Sequence, residues 1–465
     1  MQPSTIAIVS HDPAEATFFE GPCTTCEYKT DCPVYPDLRN GLYVRPGFQL
    51  GDTLDGFDEL MDEISLSWIQ SIAATHHLWL AEDINASLSA LFDTLCSALY
   101  ARDVLSLDAR TREITGLRCR DELIFPYTWM CPRCVSRGLP RDDCYLPGAE
   151  RKTEKGVTRD FPDITLLAKP RSRAIGDVGI KVLRSILRVM LSIPPVKFRM
   201  SEGGGRRGEF DLTFASFDTL LFGEVKAKPL IAFPLIVREF GKPTTAPSHE
   251  WVKPKSLAGA RFSLYVAAAN DLSIDVGSPS PETPFWPLEA LTTAAKDPLL
   301  VQSVVIGWRR HLDAYRAWTN EPDQLRWHRF GCGNFSTREG GVRIERRVAN
   351  TKELPGLDRT DDIKKGASQV LLFSRFKQGC KKEALKSSLL GNVYAETHGA
   401  NYLDRMAHMR VTAEGYQRLE WIFDMILGLS RNVFNDPVLE ETFDTKSVIM
   451  RAAQAQKRRS SKRPR

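Results

Sequence analysis

The sequence predicts an α/β protein carrying an added cysteine-rich region, and three observations support that reading. Two apolar runs between Gly208 and Pro229 alternate with period two. Apolar positions recur at three- and four-residue spacing over Leu60–Leu99 and again over Val178–Met190. Seven of the ten cysteines fall in two clusters. Period two marks a half-buried strand and period 3.6 an amphipathic helix.

Residues 1–50 are punctuated by Pro and Gly around the run Cys23-Thr-Thr-Cys26-Glu-Tyr-Lys-Thr-Asp-Cys32-Pro33. From Leu54 to about Tyr100, Leu60, Ile64, Trp68 and Ile72 and then Leu88, Leu91, Leu95 and Leu99 give a helical block. His76 and His77 fall inside that block and are read as packing residues. Arg118–Pro147 holds the second cysteine group, Cys119, Cys131-Pro-Arg-Cys134 and Cys144, and RKTEKGVTRD at 151–160 reads as a charged linker. Residues 1–150 thus form a cysteine-rich, metal-binding and helical region, followed by a second region at 161–450. The remainder, 452–465, has no apolar residue after Ala455 and is expected to be a disordered basic tail.

The second region opens with a helix over Ala174–Leu191, which Ile193-Pro194-Pro195 stops. A strand over Val196–Met200 and a turn at Gly203-Gly204-Gly205-Arg206-Arg207 lead to the two polar-bearing strands. In the first, Phe210, Leu212 and Phe214 alternate with Glu209, Asp211 and Thr213, so Asp211 points away from the aromatic face. In the second, Thr219–Phe222 runs into Gly223, Glu224, Val225 and Lys226, and two-residue spacing puts Glu224 and Lys226 on one side. Paired as a hairpin, these strands bring Asp211, Glu224 and Lys226 together, with Glu209 as a possible extra ligand. Beyond them, 228–256 is rich in proline and basic residues, Phe262–Ala268 reads as a strand and Gly277–Pro287 as a turn-rich loop. Thr360-Asp361-Asp362 can cap a helix bearing Lys364, Lys365 and Gln369, and Ala413–Leu429 has helical spacing through Leu419, Ile422, Met425 and Ile426.

Two carboxylates beside a lysine suit phosphodiester hydrolysis. A phosphate diester repels hydroxide, so the reaction calls for a hard cation held by oxygen ligands, and for a base or cation near the attacking water. Asp211, a dozen intervening residues, then Glu224-x-Lys226 at the end of an apolar strand resembles the PD-(D/E)XK nuclease superfamily. The resemblance implies a mixed sheet flanked by helices, opening α-β-β-β, with Asp211 and Glu224 binding Mg²⁺ and Lys226 assisting the water. Gly208-Glu209-Phe210 replaces the proline expected just before the aspartate, and the literal Pro162-Asp163 lies upstream and reads as a turn. In such nucleases a glutamine or lysine on the helix after the core strands often reaches the scissile strand, which makes Lys364, Lys365 and Gln369 candidate DNA contacts.

Two Cys-x2-Cys knuckles about a hundred residues apart argue for metal thiolates, which suit Zn²⁺, a single iron or an iron–sulfur cluster. Cys23, Cys26, Cys32, Cys119, Cys131, Cys134 and Cys144 are therefore candidate ligands. A cysteine-ligated metal module ahead of the nuclease core resembles the NotI-like type II restriction endonucleases, as do GEVKAKPLIAFPL and TDDIKKGASQVL. That resemblance implies site-specific cleavage of double-stranded DNA, a homodimer and a cognate DNA methyltransferase as genetic partner. The first cysteine run also resembles the cluster-binding cysteines of iron–sulfur nucleases of CRISPR adaptation and recombination, which usually follow the core. A noncatalytic cysteine-metal DNA-binding protein is the remaining alternative.

Composition narrows the class further. At 465 residues, 42% apolar and 26% charged, the chain can build two or three cored domains. No apolar run reaches membrane-spanning length and no signal pattern opens the sequence, so a cytoplasmic protein with no membrane partner is expected. Six basic residues from Lys457 to Arg465 exceed the whole net charge of +5. Any DNA surface must therefore come from local clustering of charge.

Overall fold

The computed structural model describes residues 6–8, 17–19, 56–106, 115–127, 131–139, 141–144, 146–147, 150–154, 157–161, 168, 170, 172–195, 198–202, 211–215, 220–238, 249–253, 257, 259–266, 271–316, 335–339, 342–347, 354–377, 385–396, 399–411 and 420–461. In chain order its main elements are α1 (Gly56–Thr75), α2 (Ala81–Ser106), β1 (Gly116–Cys119), β2 (Glu122–Phe125), α3 (Pro132–Ser136), α4 (Ser172–Ser192), β3 (Arg199–Glu202), β4 (Leu212–Ala215), β5 (Leu220–Val225), β6 (Leu235–Val237), β7 (His249–Val252), β8 (Phe262–Tyr265) and β9 (Ser273–Gly277). There follow α5 (Leu288–Ala294), α6 (Pro298–Arg316), α7 (Thr360–Lys377), β10 (Leu385–Leu390), α8 (Ala400–Ala407), β11 (Met425–Leu427), β12 (Asn432–Phe434), α9 (Pro437–Phe443) and α10 (Thr445–Ser461). The protein is mixed α/β, with sheets flanked by helices. No helix among the described residues is long and apolar enough to cross a membrane.

Two compact units are assembled from separated stretches of chain. The first comprises Met1–Asp62, Leu183–Ala227 and Gly356–Arg465, and the second Glu63–Val182 and Lys228–Pro355. The division therefore does not fall near residue 150. The long stretch after β5 folds with the second cysteine group, and the chain returns to the first unit only at Gly356.

The first unit is built on a six-stranded sheet in the order β12-β11-β10-β5-β4-β3. Strands β3, β4 and β5 form an antiparallel meander, with Leu212 opposite Gly223. β10 lies parallel to β5 with Leu389 opposite Glu224, β11 is parallel to β10, and β12 closes that edge antiparallel. Parallel neighbours need a crossover, and α7 provides it just before β10. Its apolar stripe, Ile363, Ala367 and Val370, packs with Leu389, Tyr394 and Leu403. Phe214, three residues past Asp211 and so on the opposite face, meets Phe443 of α9 edge to face at 5.3 Å. Asp58 and Asp62 on α1 accept from Arg184 and Arg188 on α4 at 3.1 and 2.5 Å.

Asp436 starts α9 and anchors it. Its side chain accepts from the backbone N–H groups of Val438 and Leu439 at 2.9 and 3.2 Å and pairs with Lys386 of β10 at 2.8 Å, both partners being largely buried. Burial alone would raise its pKa, but the Lys386 hydrogen bond and charge together with the two N–H donors outweigh it and hold the carboxyl low. Asp436→Ala removes a cap and strands a buried ammonium. Urea unfolding should show a loss of about 2–4 kcal/mol.

The second unit carries an all-antiparallel sheet in the order β7-β1-β2-β6-β8-β9. Asp93 of α2 is fully buried and accepts from Trp308 Nε1 of α6 at 2.7 Å and from the Ile231 N–H at 3.0 Å, so its polar burial is satisfied. Ser97, one turn on, accepts from the Phe233 N–H at 2.8 Å. These bonds fix the start of the returning chain on α2.

Four expectations from the sequence change. The helical block is two helices separated by a short 3-10 turn at His76–Leu78. The charged linker is an antiparallel hairpin, Glu150–Glu154 with Val157–Phe161, in which the β-branched Thr153, Val157 and Thr158 favour extended backbone. Within Ala413–Leu429 the described part is not helical: Glu420–Trp421 pairs with Arg410–Val411, and Met425–Leu427 is β11. A short apolar run buried on both faces has no period of its own, so its spacing passed for a helix. Finally, residues 452–461, expected to be disordered, are helical within α10, because Val448, Ile449, Ala452 and Ala453 form a buried stripe.

Candidate active site and metal centre

In the first unit the meander brings the three expected polar groups together. The Asp211 N–H donates to Gly223 O at 3.2 Å, extending the β4–β5 ladder by one step and setting Asp211 beside Glu224. Its Oδ2 accepts from the Val225 N–H at 2.8 Å, which leaves Oδ1 to point elsewhere. The Lys226 N–H donates to Leu390 O at 2.7 Å, so β10 holds the strand end that carries the lysine. The Lys226 ammonium in turn donates to Glu224 Oε1. A Cβ at Gly223 would stand 2.5 Å from Leu390 Cδ1, so the small residue before Glu224 permits the close approach of β10.

The electrostatics follow from this crowding. The Glu224 side chain is 4% exposed and that of Lys226 20%, so the group opens to solvent on the lysine side. Burial, then the neighbouring Asp211 charge, pushes the Glu224 carboxyl up to about 7, against the opposing pull of Lys226. Burial also raises Asp211, opposed by the Val225 N–H and Lys226. Two carboxylates that resist ionising side by side are a donor set that a hard divalent cation would relieve. Glu209 lies outside the described residues.

Helix α7 covers this group through Gly366. A Cβ there would meet Glu224 Cγ and Lys226 Cγ at 3.7 Å and Leu389 Cδ1 at 2.7 Å. Gln369, half-exposed, lies one turn further along the same face of α7, while Lys365 is exposed beside Gly366. Lys364 is exposed and directed to α8, with its ammonium 5.6 Å from the Tyr402 ring centre. Gly366 carried no signal in the sequence. Gly366→Val forces a branched side chain onto both stems. If the trio is catalytic, turnover should fall about 100-fold while Ser368→Val, on the exposed side of α7, leaves it intact.

In the second unit Cys119 and His249 face each other across the β1–β7 ladder. Cys131 and Cys134 bracket the first turn of α3, where Cys131 is the N-cap and Pro132 the first helical residue. The N–H groups of Val135 and Leu139 donate to the carbonyls of Cys131 and Cys134 at 3.1 and 3.2 Å, shaping a knuckle. Ligand atoms of Cys119, Cys131, Cys134 and His249 all lie within 4.8 Å of one another, and this group, with its cysteines buried and His249 half-buried, could hold a metal ion. The Cys119–Cys134 sulfurs are 3.7 Å apart and Cys134 Sγ is 3.1 Å from His249 Nε2. A tetrahedral ion with metal–sulfur bonds of about 2.3 Å sets a sulfur–sulfur edge of about 3.8 Å. Thiols this close do not ionise independently. Hydrogen bonds from Cys131 and Cys134 hold Cys119 far below the usual thiol range, whereas burial drives Cys131 well above it.

Arg133, inside the knuckle, makes a bidentate pair with Glu122 of β2 at 2.6 and 2.6 Å and lies over the Tyr265 ring of β8 at 4.7 Å. These contacts fasten α3 to the sheet that carries Cys119 and His249. Cys144, the remaining candidate ligand of this cluster, is not among the four residues whose donor atoms lie within 4.8 Å of one another. Its carbonyl accepts from the Cys131 N–H at 2.7 Å, while its thiol reaches Leu139 O at 3.6 Å and burial lifts it to about 11. Cys23, Cys26 and Cys32 lie outside the described residues. The candidate ligand that the sequence did not yield is His249, 115 residues from Cys134 and in no spacing pattern with it.

Compared with protein families, characterised proteins and solved structures, the chain matches none.

Proposed function

We propose that this protein is a Mg²⁺-dependent endonuclease of the PD-(D/E)XK type that cuts both strands of duplex DNA at a specific site. The observation that carries this reading is the convergence of Asp211, Glu224 and Lys226 at one point of a meander preceded by α4 and followed by the α7–β10 crossover. A surface ion pair would not call for a buried glutamate with a second carboxylate crowded against it. The order helix, three strands, helix, strand agrees with the α-β-β-β opening that the resemblance implies.

Asp211 through Oδ1 and Glu224 through its carboxylate would hold Mg²⁺, which supplies a Lewis acid for the phosphate and lowers the pKa of an attacking water. Asp211 is oriented for this by the Val225 N–H. Lys226, on the solvent side, would hold that water and offset charge developing on the phosphate. Gln369 and Lys365 on α7 would contact the DNA strand. Lys364, directed to Tyr402, would add a phosphate contact further out. By resemblance the products carry 5′-phosphate and 3′-hydroxyl ends, and a palindromic site implies a homodimer with a cognate methyltransferase as genetic partner.

The second unit would carry a structural Zn²⁺ on Cys119, Cys131, Cys134 and His249. Three thiolates and an imidazole suit zinc, with a single iron as the chemical alternative. The four ligands of an iron–sulfur cluster are spread over two or more irons, a wider arrangement than donors all within 4.8 Å of one another provide.

The reading is tested by separating binding from cutting. Asp211→Ala and Lys226→Ala should shift duplex DNA in a gel with Ca²⁺ as fully as wild type and should release no fragments with Mg²⁺. Loss of binding together with cleavage would count against the assignment.

A further inference from the structure

Lys226 occupies two incompatible places in the proposed reaction. Its catalytic place is beside a water on the metal, yet its ammonium is bonded to Glu224 Oε1, an oxygen of the carboxylate that would take the cation. Glu224 has little freedom to offer another face. Its side chain is 4% exposed, it stands opposite Leu389 across the sheet, and Gly366 of α7 closes over its stem. Lys226 is the mobile partner, since its side chain is five times as exposed and ends a long flexible stem. Asp211 cannot compensate by turning, because its Oδ2 is bound to the Val225 N–H.

Resting on the nuclease reading, we infer that the Lys226–Glu224 ion pair is a lock on the carboxylate pair that a divalent cation must displace, so that Lys226 sets cation affinity as well as assisting the water. Two cations competing for one buried oxygen repel, and the ion enters only when the ammonium swings toward solvent. Affinity for the cation in the wild type is therefore lower than the two carboxylates alone would give, which makes loading depend on something that draws Lys226 outward. A DNA phosphate arriving on the solvent side has the right charge to do so. The lock thereby couples cation loading to substrate arrival.

The test reads ion binding with no DNA present. Full-length protein with its cysteine site filled by Zn²⁺ is titrated with Mn²⁺, and the free ion is counted by electron paramagnetic resonance at about pH 8.5, where carboxyl groups are ionised. Lys226→Met should bind Mn²⁺ at least about tenfold more tightly than wild type, Lys226→Arg within about twofold of it, and Glu224→Gln far more weakly. Equal or weaker binding by Lys226→Met, alongside wild-type binding that Glu224→Gln abolishes, would overturn the lock and leave the nuclease reading standing. No Mn²⁺ binding by wild type or any variant at millimolar concentrations would overturn both.

Discussion

Glu224→Gln should bind duplex DNA without cutting it and, at about pH 8, should be more stable than wild type. The first half follows from the loss of a cation ligand at the proposed site, with cleavage falling by more than about 100-fold. The second half follows from the position of the carboxyl. Its pKa rises from the ordinary 4.5 to about 7 because it is buried and stands beside Asp211. Between those values the folded protein holds a proton that the unfolded chain has released, so stability falls as pH rises through that window. Above it the whole cost of the buried charge is present, of the order of 3 kcal/mol, with the attraction of Lys226 already included in the shift. Glutamine carries no charge and escapes that cost. Urea unfolding should therefore show the variant ahead of wild type at pH 8 and the two converging below about pH 4.5. A variant less stable than wild type at pH 8 would mean that Glu224 serves the fold and not a cation.

Cys134→Ser should purify without the Zn²⁺ proposed for this site and lose several kcal/mol of stability in the second unit, whereas Cys144→Ser should keep that ion. Cys134 touches both Cys119 and His249, so its loss opens the four-ligand set at its centre. It also leaves β7, an edge strand, held to β1 by the ladder and the Arg118–Glu250 pair at 2.7 Å, and to Pro147 by the Trp251 hydrogen bond at 2.8 Å. Metal binding in small zinc modules contributes folding free energy directly, on the order of 10 kcal/mol, and a larger unit with its own core should lose part of that. Cys144 contributes its backbone carbonyl to the knuckle, and a serine leaves that carbonyl in place. Metal analysis of the purified variants, with thermal unfolding, reads both effects. Loss of the ion from Cys144→Ser, or its retention in His249→Ala, would require a different ligand set.

The Asp211–Glu224–Lys226 group was legible in the sequence because everything that builds it is local. One hairpin separates Asp211 from Glu224, strand period two fixes which side each faces, and Glu224 and Lys226 lie two residues apart on one strand. Helix α4 was equally plain, with apolar spacing and a Pro-Pro stop. What stayed hidden depends on chain returning from a distance. His249 joins the cysteines only because β7 pairs with β1, and no spacing within the sequence encodes that pairing. The same return makes both units discontinuous, which a linear division at residue 150 could not express. Gly366 matters through what it lacks, and β11 is too short and too evenly buried to show a period.

The central claim is that Asp211, Glu224 and Lys226 hydrolyse DNA with Mg²⁺. It is tested most directly by incubating the purified protein with a large, sequence-diverse duplex DNA and Mg²⁺ beside Glu224→Gln. The account predicts discrete fragments from wild type, none from the variant, and one common sequence at the fragment ends. Intact DNA in both reactions, or equal cutting by both, would contradict it.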